Sequence, residues 1–141
     1  MRIRIDATSR KKAAYNSVFP VSKLTIEERH VDDVTVLVLT GEMMLDDGDV
    51  AFRRQIDALV NSGRFKILVD LDGVTLIDSS GVGMMVAQLK IVQRRGGDMR
   101  LLRLNSRGQR LFSLLKLRTT FETYDDEALA VSSFARRPSA T

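Results

Sequence analysis

Ile77-Asp78-Ser79-Ser80-Gly81-Val82-Gly83 is the stretch on which the fold turns. Upstream of it, Lys66-Ile-Leu-Val-Asp-Leu71 is a near-continuous apolar run, the pattern of a central strand covered on both faces. Downstream, Val82, Met85, Val86, Leu89 and Val92 recur at helical spacing and predict an amphipathic helix over about 80–95, ended by Gly96-Gly97. The seven residues therefore hand a strand over to a helix. Asp78 and Ser79 fall at or just before the helix start, where a side-chain oxygen can accept from an unpaired backbone N–H.

Strands and helices continue outward in both directions, without an internal sequence repeat. Leu24 to Arg29 predicts a short strand, and Val31-Asp32-Asp33 a polar turn. Val34 to Thr40 is a β-branched strand closed by Gly41, and the short separation favours an antiparallel hairpin. Asp47, Gly48 and Asp49 mark a helix start. Phe52, Ile56, Leu59 and Val60 give that helix one buried face, and Asn61-Ser62-Gly63 stops it. Beyond the second helix, Met99 to Leu104 is a strand. Ser106-Arg-Gly-Gln109 reads as a capping box for a short helix with Leu111, Leu114 and Leu115 as its apolar stripe. Phe121 to Tyr124 is a last short strand, and Asp125 opens a C-terminal helix to about Phe134.

The order β-β-α-β-α-β-α-β-α is that of an α/β domain with parallel neighbours joined by right-handed crossovers. A doubly wound sheet needs helices on both faces. About four helices are equally compatible with a mixed sheet of about five strands covered mainly on one face.

With 141 residues, 44% hydrophobic and 28% charged, the chain is one soluble-type domain. It has no cysteine, which excludes disulfides and cysteine-ligated metals and is consistent with a cytoplasmic location. The single histidine, His30, makes a His-rich metal centre or a His-based triad improbable; no catalytic residue is predicted. The net charge of +4 lies at the ends. Residues 1–22 hold five basic residues and one acidic, the tail from Arg136 adds two more, and 23–135 is left at −2. The basic charge is thus off the domain, so direct nucleic-acid binding is not predicted. The domain division is a basic, flexible extension over 1–22, a folded domain over 23–135 and a tail over 136–141. No run approaches the length of a membrane span.

The Asp-Ser-Ser-Gly block supports two readings. It is a sufficient helix cap. It also displays hydroxyls among small residues at the C-terminal edge of a strand, where partners commonly bind and where the helix dipole favours a phosphate. A nucleophilic serine is disfavoured because the block is not Gly-x-Ser-x-Gly and no base is near. Asp46, Asp47 and Asp49 are explained by capping rather than by a cation. Met84, Ala87 and Ile91, with Met43, Met44 and Leu45, could be extra core or a partner surface.

Leu39-Thr40-Gly41-Glu42, Leu-Val-Asp-Leu at 68–71, the 77–83 block, Gly96-Gly97 and the Leu101–Leu104 strand together resemble the bacterial anti-sigma factor antagonists, single STAS domains. The resemblance covers about 24–134. It implies a mixed sheet flanked by helices and a non-enzymatic regulator without a cofactor. It implies phosphorylation of Ser79 by a partner that is both anti-sigma factor and serine kinase, with a PP2C-type phosphatase as the reset. Asp78, Ser79, Ser80, Gly81, Met84 and Met44 would form the partner surface. Many members carry an aspartate where this chain has Met44. The alternative within the family is an interaction subunit of a transport or stress-sensing complex with no phospho-switch.

Overall fold

The structure, a computed structural model, describes residues 2–6, 24–44 and 47–135. In chain order these form β1 (Arg2–Asp6), β2 (Leu24–Val31), β3 (Val34–Met43), α1 (Asp47–Asn61), β4 (Lys66–Ile77), α2 (Ser79–Arg94), β5 (Asp98–Leu102), α3 (Ser106–Leu114), β6 (Thr123–Tyr124) and α4 (Glu127–Ser133). The six strands make one sheet in sequence order. β1, β2 and β3 pair antiparallel, and β3 through β6 run parallel. The sheet is mixed because a two-residue turn at Asp32-Asp33 joins β2 to β3, whereas every later strand is reached through a helix.

Period-two alternation divides the buried side chains between the faces. Leu37 and Leu39 of β3, Ile67, Val69 and Leu71 of β4, and Met99 and Leu101 of β5 meet α1, α2 and Phe112 of α3 in the main core. Their neighbours Val34, Val36, Leu68 and Leu102 meet Ala130 and Phe134 at α4 in a smaller cluster. Three helices thus lie on one face and α4 on the other. Arg29 of β2 docks α4 with two hydrogen bonds to Glu127, at 2.7 and 2.5 Å. Phe52, Ile56, Leu59 and Val60 are buried as their spacing predicts.

Several expectations need correction. Part of the extension expected to be flexible is a strand: Arg2–Asp6 lies antiparallel to β2, with Arg4 opposite Glu27 and Ile5 opposite Ile26. Arg-Ile-Arg-Ile-Asp alternates polar and apolar residues, the β period, which its basic composition masks. Residues 7–22 and the tail 136–141 lie outside the described residues.

β4 does not stop at Leu71 but runs through Asp72-Gly73 to Ile77. There β3 and β4 continue in parallel through two register shifts, Thr40 opposite Gly73 and Met43 opposite Ile77. Gly73 fits because a side chain would press on Leu39 and Thr40, each 3.0 Å from the position of its Cβ. The cap of α3 is Asn105, whose side chain accepts from the Gly108 N–H at 2.8 Å; Ser106 is the first helical residue. The buried face of α3 is Gly108 and Phe112, four apart, while Leu114 is 74% and Leu115 39% exposed.

Candidate functional site

Asp78 leaves β4 with extended backbone and caps α2. Its Oδ1 accepts from the Gly81 N–H at 2.8 Å, and its carbonyl accepts from the Val82 N–H at 3.0 Å. Its own N–H points back to the Met43 carbonyl, 3.4 Å away at the end of β3. The site therefore stands on the extended β3–β4 pair, which the Thr75 hydroxyl also ties by donating to the Gly41 carbonyl at 3.2 Å. One carboxylate thus fixes both the helix start and the direction in which the next residues project.

Ser79 and Ser80, the first two residues of α2, are exposed. Neither hydroxyl has a hydrogen-bond partner among the described residues. Gly81 is buried instead, its Cα pressed against β3: a Cβ there would run into the Met43 carbonyl and come within 2.9 Å of the Met43 Cγ. It therefore belongs to the scaffold that carries the two serines. Gly83 is exposed, with no atom within 4 Å of where its Cβ would be. Met84 and Met44 are half-buried, and Met84 packs on the main core. Met43 is fully buried and leaves the proposed apolar surface; Leu45 and Asp46 lie outside the described residues. Ala87 is exposed and Ile91 half-buried, while Val86, expected in the core stripe, is only half-buried. Gln88 takes a place on the buried face of α2 that spacing alone assigned to apolar residues.

His30 cannot serve Ser79. It pairs across the sheet with Thr35, eight residues before Met43 in β3, so the two sites are roughly 26 Å apart along the strand. Its Nε2 lies 2.6 Å from Glu28 Oε2, and Glu28 also accepts from Gln55 of α1, a polar tie between β2 and that helix. Among the described residues no group of three His, Asp or Glu side chains is placed to hold a metal ion. No helix among them is long and apolar enough to cross a membrane.

The model of the STAS domain matches residues 25–130. The chain belongs to the STAS-domain family. This STAS domain is 30% identical over 107 residues to a candidate anti-sigma factor antagonist of Thermotoga maritima, covering 76% of this chain and 95% of that one. It is 28% identical over 110 residues to the anti-sigma F factor antagonist of Paenibacillus polymyxa, covering 77% and 93%. The crystal structure of the Thermotoga maritima protein superposes with a TM-score of 0.71, covering 77% of this STAS domain and 93% of its own chain. The mixed sheet flanked by helices is thus that of a STAS domain.

Proposed function

We propose that the protein is an anti-sigma factor antagonist, a regulator without catalytic activity, whose Ser79 is the phosphoacceptor of a partner switch. The observation that carries the reading is the exposed Ser79 hydroxyl on the first residue of α2, held outward by the Asp78 cap. The names of the Thermotoga and Paenibacillus relatives support the class of function. In the unphosphorylated form, the α2 start and the end of β3 bind an anti-sigma factor that is also a serine kinase, and the sigma factor is released. Asp78, Ser80, Met84 and Met44 border that surface, and exposed Gly83 lets the partner approach the helix closely.

Phosphorylation adds about −1.5 to −2 charges beside Asp78. At the start of α2 this charge is tolerated by the fold, because the helix dipole and free amides favour an anion there. The partner surface that met a neutral hydroxyl now meets a dianion and is repelled. A PP2C-type phosphatase restores the binding form. The chain needs no cofactor, since the ATP belongs to the kinase.

The test is incubation with the cognate anti-sigma kinase and ATP, followed by mapping of the phosphate and measurement of binding. Phosphate should appear on Ser79. Ser79→Asp should weaken binding at least tenfold, and Ser79→Ala should bind without being modified. Absence of phosphate on Ser79, together with full binding by Ser79→Asp, would reject the proposal.

A further inference from the structure

A second concave site, whose lining shares no residue with the Ser79 surface, lies between α3 and the segment leading into β6. Ser106, Arg110 and Ser113 stand at i, i+4 and i+7 and so share one side of α3. Arg118 and Thr123, beyond the helix, line the same cleft, whose volume is about 380 Å³. Leu104 and Phe112, both buried in the main core, supply an apolar floor. Gln109, also in the lining, is fixed by donating its Nε2 hydrogen to the Leu104 carbonyl at 2.8 Å.

The charge at this site is unusual for the domain. Residues 99–121 hold six basic residues and no acidic one, although 23–135 as a whole is net negative. Two of the six are neutralised: Arg100 by Asp98 and Glu122, and Arg103 by Asp70. Arg110 and Arg118 have no carboxylate partner among the described residues. Glu122, next to Thr123, is engaged with Arg100 and with the Tyr124 hydroxyl. The lining therefore presents two guanidinium groups and three hydroxyls with no carboxylate.

We infer that this cleft binds a small organic phosphate monoester. A phosphate dianion matches two guanidinium charges, and its three terminal oxygens can accept from arginine forks and hydroxyls together. A carboxylate would leave one positive charge uncompensated. The apolar floor takes an organic body, and the volume falls within the range of small-molecule sites. The anion is anchored by two elements, through Arg110 on the helix and Arg118 beyond it.

Amide NMR of the full chain, titrated with phenyl phosphate and separately with inorganic phosphate, tests the inference. Saturable shifts should centre on residues 106–123, and phenyl phosphate should bind more tightly because it also covers Leu104 and Phe112. Arg110→Gln and Arg118→Gln, both at exposed positions, should each raise the Kd about tenfold or more, the size of one charge-assisted hydrogen bond. Arg53→Gln, an exposed change on α1, should leave the Kd unchanged, and so should Ser79→Asp, which separates this site from the switch. Non-saturable shifts, equal loss in Arg53→Gln, or binding only to phosphatidylglycerol vesicles with phenyl phosphate silent would each overturn it.

Discussion

Gly81 and Gly83 sit two residues apart on α2 and face opposite ways, one into the sheet and one into solvent. Substitution by alanine should therefore have opposite signs at the two positions. Gly81→Ala drives a Cβ into the Met43 backbone, an overpacking that costs about 1–3 kcal/mol. Gly83→Ala meets nothing and removes the helix penalty of glycine, a gain of about 0.5–1 kcal/mol. Urea unfolding of the two variants measures both, and a loss of stability in Gly83→Ala would contradict the open space at that site. If Gly83 also admits the partner, the stabilised variant should bind its anti-sigma factor less well. The sequence made the Asp78 cap legible, because an aspartate three residues before a free helical N–H is a local relation. It could not tell Gly81 from Gly83. Which of two helical glycines turns inward depends on the end of β3, almost forty residues earlier in the chain.

At the scale of elements, α4 is held to β2 by a charged pair that pH can break. Hydrogen bonding to Arg29 is the main influence holding the Glu127 carboxyl below its ordinary value of 4.5; burial opposes it, and the guanidinium charge adds to it. A carboxyl whose folded-state value is depressed contributes stability above the unfolded value and loses it as the pH falls through the folded value. Glu127→Gln should thus lower stability at neutral pH by about 1 kcal/mol, since the pair is only partly buried. The difference from the parent protein should fade as the pH drops below 4.5. Urea titrations at several pH values read this directly; a deficit that persists at low pH would mean lost packing rather than lost charge. A helix with a clean 3.6 period, such as α1, was legible down to its apolar buried residues, though not to Gln55, which is buried beside them. β4 was not, because Asp72-Gly73 is a turn signal in isolation and becomes part of a strand only alongside the bulged end of β3. α3 misled in another way: its leucines outnumber its core positions, and the buried face follows Gly108 and Phe112 instead.

For the molecule as a whole, one sheet carries two cores of very different size, and their stabilities should separate. The main core gathers 22 buried residues among those described, the α4 face only six, of which Ala130 and Phe134 come from the α4 end. Detaching α4 exposes those two side chains, about 2–4 kcal/mol of apolar burial. It also breaks the Arg29–Glu127 pair, the 2.7 Å hydrogen bond from Arg100 to Ser133 and the stacking of Arg100 over Phe134 at 4.5 Å. Global unfolding of a domain this size costs about 5–15 kcal/mol, so detachment of α4 should be a separate opening reached first. Native-state hydrogen exchange should show the amides of 127–135 opening well below the global free energy, while those of Leu37–Leu39 and Ile67–Leu71 approach it. The Ser79 platform rests on the main core through Met43, Val82 and Met85, so its amides should group with the slow set and remain ordered when α4 is free. Equal opening energies for α4 and β4 would mean that the two faces melt as one unit. In that case the α4 face could not be perturbed without disturbing the Ser79 site on the other side.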